Sequence, residues 1–307
     1  MTPARLWGKH DVFNHRAREA VVADAQASDL RLAELIAALS LATDLGMGQP
    51  PEFALRSCVL AIRLGDALHL GTPDLHDVYY QALLRYIGCN AETFSLAALF
   101  GDELALRTEF VTIDQGRSSE VIGFALRRLR RANAGAPLLR LVRNVARGLV
   151  MAPGVVQEGY AGHCEVAQRL AARLHFGDTI IRALGQLYER WDGRGAPNGL
   201  KGENVALAVR VVALAQDAIV FQRIGGVEAA VAVARARKGT AYDPRIATCF
   251  CEQAPRLLAG LEDEPSWEAV LAMEPGPRTY LPAARFDTAC QAIADFADLK
   301  SPYTLGH

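Results

Sequence analysis

Apolar residues recur at helical spacing along almost the whole chain, and runs that suit a β-strand are nearly absent. Between Asp29 and Leu45, the residues Leu30, Leu32, Leu35, Ile36, Leu39, Leu41 and Leu45 return near the period of about 3.6 that gives a helix one apolar face. The run stops at Gly46-Met47-Gly48-Gln49-Pro50-Pro51, a cluster of helix breakers. The same reasoning predicts a helix over Glu52–Leu68 and another from a cap at Asp74 toward Gly88. It predicts helix again from Ser118 to Leu149, broken at Asn133-Ala134-Gly135-Ala136-Pro137. Further helices are expected over Gly162–Leu174, Thr179–Arg190, Asn204–Phe221, Val227–Arg237, Pro244–Leu261 and Arg285–Leu299, with Pro275-Gly276-Pro277 as a linker. Glu109-Phe110-Val111-Thr112-Ile113 is the one β-like run, and it also suits a loop. Helix after helix without strands predicts an all-α fold.

A chain of 307 residues can bury a sizeable core as one large or two modest domains. Its net charge of -1 gives no global reason to expect nucleic acid or an anionic membrane as partner. No apolar run is long enough to span a bilayer and the first residues lack a signal-peptide core, so a cytoplasmic location is the expectation. Arg127, Arg128, Arg130, Arg131, Arg140, Arg143 and Arg147 invite a nucleic-acid reading, but no aromatic residues interleave with them. A solvated helix face, its long stems lying over the core, explains them better. The six cysteines are expected to be reduced. Cys58, Cys89 and Cys164 sit among apolar residues as small hydrophobes, and Cys249 and Cys251 have no partners for a zinc site.

The chemistry concentrates in Tyr188-Glu189-Arg190-Trp191-Asp192-Gly193-Arg194-Gly195-Ala196-Pro197-Asn198-Gly199-Leu200, which packs acid, base, aromatic ring and glycines between two helical segments. Loops of this kind place side chains and backbone groups over a ligand. The segment resembles the signature of the HD-GYP family, metal-dependent phosphohydrolases whose best-known substrate is cyclic di-GMP. There it reads roughly His-His-Glu-Arg-Trp-Asp-Gly-x-Gly-Tyr-Pro-x-Gly-Leu. Arg210-Val211-Val212-Ala213-Leu214-Ala215-Gln216-Asp217-Ala218 resembles a later family run. Ala82-Leu83-Leu84-Arg85-Tyr86-Ile87-Gly88-Cys89 resembles Ala-Leu-Leu-His-Asp-Ile-Gly-Lys. Lys238-Gly239-Thr240-Ala241-Tyr242-Asp243-Pro244 resembles the turn that opens the family's last helix, and Gly162-His163 falls at a ligand turn.

The resemblance implies an all-α, HD-like helical bundle in which histidines and aspartates on several helices gather divalent metals. Such metals lower the pKa of a bridging water and neutralise phosphodiester charge. Here Glu189, Arg190, Trp191, Asp192, Gly193, Gly195, Pro197 and Arg210 stand at motif positions, and His163 and Glu189 are the metal-ligand candidates. The ligand positions now hold Arg85, Tyr86, Leu187, Tyr188 and Gln216, with Phe53 at a further one and Ala196 in place of the signature tyrosine. Asp217 lies one residue from Gln216, which on a helix points roughly 100° elsewhere. The bland alternative for His163 is a helix-start histidine bonded to backbone, and for Glu189, Arg190 and Asp192 a loop-holding role.

Asp298-Leu299-Lys300-Ser301-Pro302-Tyr303-Thr304-Leu305-Gly306-His307 resembles the opening of an HD-GYP domain, in which His307 would be the first metal ligand if a second domain follows. The expected organisation is therefore an N-terminal extension over 1–28, a degenerate HD-GYP-like domain over 29–262, a linker and helix over 263–297, and the start of a second domain over 298–307. The expected function is that of a module without its own metal centre, regulatory or structural to a following catalytic domain. No cofactor is expected in this copy; iron, manganese or zinc is expected if it is active. One alternative is an active metal-dependent phosphodiesterase acting on cyclic di-GMP or a related nucleotide; a transcription-linked nucleic-acid-binding module is the other. Open partners are the following domain, a nucleotide ligand contacting Arg85, Tyr188 and the glycine loop, and a second copy of the chain.

Overall fold

In a computed structural model of the chain, the described residues are 30–92, 103–132, 157–262, 266–282 and 286–298. Leucine spacing in α1 (Leu32–Gly46) puts Leu32, Leu35, Ile36 and Leu39 on one buried side, and the helix ends where Gly48 turns into positive φ. α2 (Phe53–Ala67) is buried nearly all round, with Leu55, Leu60 and Leu64 fully enclosed. A helix apolar on every face belongs at the centre of a bundle. α2 accordingly packs against α1, α3 (Thr72–Leu84), α8 (Leu207–Ala236), α9 (Pro244–Leu258) and α10 (Ser266–Ala272).

Between these lie α4 (Glu103–Phe110), α5 (Ser118–Ala132), α6 (157–173) and α7 (Asp178–Leu184). α8 is two helices joined at Gly225 and Gly226, where the backbone leaves helical angles and Gly226 takes a φ of 70°. α9 starts on Pro244, with the Asp243 carboxylate accepting the Arg245 N–H at 2.8 Å. α11 (Phe286–Asp298) sends Ala289 and Ala292 into the same core. The architecture is an all-α, HD-like bundle, and no helix among the described residues is long and apolar enough to cross a membrane.

The structure corrects several element boundaries. The helix expected to reach Arg190 ends at Leu184, because the following loop fixes its own backbone through side-chain bonds described below. Glu109–Ile113 is the end of α4 and the turn after it, not a strand. α4 and α10 were not legible in the periodicity, being only 8 and 7 residues long. Neither was the two-residue antiparallel pairing of β1 (Leu30–Arg31) with β2 (Tyr280–Leu281). The expected extension over 1–28, His307, and the arginines at 140, 143 and 147 lie outside the described residues. Within α5, Arg128 is buried 3.6 Å from the Glu109 carboxylate and Arg131 pairs with the same group at 3.2 Å.

Candidate functional site

The glycine loop after α7 is held from inside by its own acid. Glu189 is buried, and its two carboxylate oxygens accept the backbone N–H groups of Asn198 at 2.6 Å and Leu200 at 2.8 Å. Both oxygens are thereby engaged in fixing the loop. Arg190 donates to Asp114 at 2.8 Å and to Asp192 at 3.3 Å, while Asp192 also accepts the Arg194 N–H at 3.0 Å. Trp191 lies with its ring 5.7 Å from the Arg210 guanidinium carbon, and Arg210 bonds Asp243 at 2.6 Å. Gly193 and Gly199 take positive φ, and a Cβ on Gly195 would sit 2.5 Å from the Arg190 nitrogen. The Pro197 carbonyl accepts from Gln157 on α6 at 2.9 Å. Thus all eight motif residues are part of one network that clamps loop to helix.

A second group of side chains lies at the ligand-equivalent positions. His163 sits within α6, one turn and more from its start, with Nδ1 2.8 Å from the Tyr188 hydroxyl and 3.7 Å from the Cys89 sulfur. Gly88 makes this approach feasible: a Cβ there would lie 2.7 Å from the His163 Cα. The Cys89 sulfur is itself 3.3 Å from the Tyr188 hydroxyl. Tyr188 stacks on Tyr160 with centroids 4.1 Å apart. Arg85 donates to the Leu187 carbonyl at 2.5 Å, and its guanidinium carbon lies 5.7 Å from the Tyr188 ring and 5.9 Å from the Tyr86 ring. Phe53 meets Tyr86 at 5.8 Å, while Leu187 is fully buried in the core. The replaced positions Phe53, Arg85, Tyr86, Leu187 and Tyr188 thus form one packed patch with His163, on α2, the end of α3, α6 and the loop.

Burial pushes the Cys89 thiol up, but the adjacent His163 ring and the charge of Arg107 outweigh it and hold the thiol below its ordinary range. Cys89 is buried in the core, as expected of a small hydrophobe, and it also contacts His163 and Tyr188. Cys58 and Cys164 are buried likewise, and burial raises Cys164 to about 11. The Tyr188 hydroxyl is raised, first by burial and then by Cys89 beside it.

These residues do not make a divalent-metal site. A cationic guanidinium, phenols, a leucine and the neutral amide of Gln216 stand where carboxylates and imidazoles would have to converge. Among the described residues no three His, Cys, Asp or Glu side chains come within reach of one ion. Asp217 is turned to Arg237, which donates to it at 2.8 Å, and to the Tyr242 hydroxyl. Asp192 is held by Arg190, as above.

Four contributors were not visible in the sequence: Asp114 as the anchor of Arg190, the Asp217–Arg237–Tyr242 cluster, Tyr160 as the platform under Tyr188, and Arg107. Each contact joins residues far apart in the chain, so only folding brings them together.

Residues 157–246 match the HD domain family. The chain is 30% identical over 283 residues to a 3'3'-cGAMP-specific phosphodiesterase of Vibrio cholerae, covering 90% of this chain and 60% of that protein. Over a shorter stretch of 69 residues, 20% of this chain and 16% of the other, it is 36% identical to a probable cyclic di-GMP phosphodiesterase of the same organism. The crystal structure of a cyclic GMP-AMP specific phosphodiesterase of V. cholerae superposes with a TM-score of 0.68 at 28% identity, covering 91% of this chain and 63% of that one. The chain therefore spans about three-fifths of the length of the relative it matches most extensively here. Helical bundle, glycine-loop motif and matched region are together similar to those of HD-domain proteins.

Proposed function

We propose that this chain is a non-hydrolytic HD module of a cyclic-nucleotide phosphodiesterase, regulatory or structural to a catalytic HD-type domain. One observation carries the reading: Arg85 and Tyr86 stand at the eponymous His-Asp positions, so a fixed positive charge takes the place of metal-binding groups. HD-family phosphodiesterases are metal-dependent, and a guanidinium neither donates electrons to a metal nor loses its proton in a protein. The motif residues that remain are those that clamp the loop. The scaffold persists without the groups that would activate water. The resemblance of residues 298–307 to the opening of an HD-GYP domain supports a catalytic partner in cis.

The similarity to a 3'3'-cGAMP-specific phosphodiesterase over nine-tenths of the chain supports a second reading, an active phosphodiesterase that draws ligands from outside the described residues. Elemental analysis of the purified chain, beside hydrolysis assays on 3'3'-cGAMP and cyclic di-GMP, separates the two. The non-hydrolytic reading expects substoichiometric iron, manganese and zinc and no turnover. Near-stoichiometric metal together with turnover would replace it by the second.

A further inference from the structure

A pocket of about 420 Å3 opens between the turn after α4, the start of α5 and the second half of α8, and none of the replaced ligand positions lines it. Its size falls within the roughly 300–1,000 Å3 of small-molecule sites. Ala229, Ala232, Val233 and Ala236 recur at i, i+3, i+4 and i+7 on α8, so they share one helix face, and Phe221 extends this apolar wall. Ala232 and Ala236 are exposed, so solvent reaches the wall. The small side chains let a flat ring lie close to the helix. From Ala229 to Ala236 the face runs about 10 Å along the helix, room for a fused two-ring system.

The charged groups of the lining come in balance, Arg117 and Arg237 against Asp114 and Glu120, so the pocket carries no net charge. Two of them are committed inward: Asp114 accepts from Arg190 at 2.8 Å, and Arg237 donates to Asp217 at 2.8 Å and to the Thr112 carbonyl at 3.1 Å. Arg117 is exposed, and its contacts with Asp114 and Glu120 are long, at 3.4 Å each. Exposed ion pairs of this kind contribute little stability, so the Arg117 donors can turn to a ligand at low cost. Glu120 keeps one oxygen on the Asp114 N–H at 2.8 Å and has the other for Arg117 or for a ligand. A neutral rim with donor and acceptor side by side, above an apolar wall, suits an uncharged planar heterocycle better than a bare anion. Arginine donors on ring oxygens and nitrogens, and a carboxylate on an exocyclic amino group, are the pairings that read the edge of a base.

We propose that this pocket binds the base of a purine nucleotide, with the rings against the α8 face, the polar edge toward Arg117 and Glu120, and the phosphate left to solvent. Asp114 also anchors Arg190, and Arg237 also holds Asp217, so the bound base rests on residues that clamp the glycine loop. The pocket is thereby an effector site of the module. The choice of a nucleotide rests on the reading of the chain as a module of a cyclic-nucleotide phosphodiesterase; the pocket itself does not.

Isothermal titration of the full chain with guanosine 5'-monophosphate, adenosine 5'-monophosphate, 3'3'-cGAMP and ribose 5-phosphate tests the proposal, with product analysis on the same samples. At least one purine nucleotide is expected to bind, and ribose 5-phosphate, which has no base, should bind at least about tenfold more weakly. Ala232→Leu and Ala236→Leu push a larger side chain into the pocket from exposed helix positions, where leucine is a good helix former. Each should melt close to the wild type and weaken nucleotide binding by about tenfold or more. Arg117→Gln changes an exposed side chain and carries the same test where a leucine variant fails to fold: a loss of about tenfold supports the site, and unchanged affinity overturns it. Silence of all three purine nucleotides at millimolar concentration overturns the proposal. So does ribose 5-phosphate binding as tightly as they do, or unchanged affinity in both leucine variants. If the leucine variants lose binding while 3'3'-cGAMP is still hydrolysed, the non-hydrolytic reading falls and the pocket stands.

Discussion

Asp44 is an acid that folding works against. It is fully buried near the end of α1, and its carboxylate accepts the Ala54 N–H at 3.0 Å across the turn into α2. Burial raises it to about 7, with the amides of Ala54 and Phe53 opposing only in part. A folded-state value above the unfolded one means that the protonated acid favours the native state. This contribution is full below about pH 4 and is lost as pH rises through about 7, by on the order of 4 kcal/mol at its limit. Asp44→Asn keeps an acceptor for Ala54 and cannot ionise. Its urea midpoint should therefore fall less than that of the wild type between pH 4.5 and 8; parallel curves for the two proteins would refute the assignment. What sets each residue's role is the partner the fold brings to it.

At the scale of elements, the loop over residues 185–203 is rigid because backbone and side chain interlock, in spite of its glycine content. Gly195 is required by proximity: a Cβ would meet the backbone of Glu189 and Arg190 at 2.5 Å, and backbone cannot give way cheaply. Gly162 in α6 has open space where a Cβ would go, and there glycine only costs the helix entropy. Gly195→Ala should lower stability by about 2 kcal/mol or more, while Gly162→Ala should raise it by roughly 0.5–1 kcal/mol. Thermal melts of the two variants check this, and equal effects would show that the loop tolerates expansion at its centre. The arrangement also gives the motif residues a structural role of their own. Glu189, Arg190, Asp192 and Arg210 bond to each other's segments, so their removal would loosen the bundle whether or not chemistry occurs nearby.

Across the whole molecule, the two ends of the described chain are tied together. Arg31 in β1 donates to Glu274 at 2.6 Å, and the same carboxylate accepts the Tyr80 hydroxyl at 2.7 Å. The Tyr79 hydroxyl reaches the Val270 carbonyl at 3.2 Å, and α10 packs on α1 and α2. Residues beyond Leu261 therefore contribute to the core, and α10 is part of the packed unit. Glu274→Ala would leave Arg31 buried without its counter-charge and Tyr80 without an acceptor, at a cost of about 3–5 kcal/mol. Urea unfolding should show this as one cooperative transition at a lower midpoint. An unchanged midpoint would mean that the C-terminal elements do not bear on the bundle.

By itself the sequence determined the helical class, most helix positions and a loop motif that resembles the HD-GYP signature. Those are carried by local period, by breakers such as Gly46–Pro51, and by contiguous residues from Glu189 to Leu200. The resemblance also pointed to positions such as Arg85, Tyr86 and Gln216, each within a short run of similar residues. Only tertiary structure decided what those positions form. Arg85, Cys89, Arg107, His163 and Tyr188 come from separate elements, and their burial and partners depend on how helices pack. Short elements such as α4 and α10 escaped for the related reason that two turns cannot establish a period. Hydrophobic periodicity is a local property and survives in one dimension; charge matching is a property of neighbours in space, and it exists only once the chain has folded.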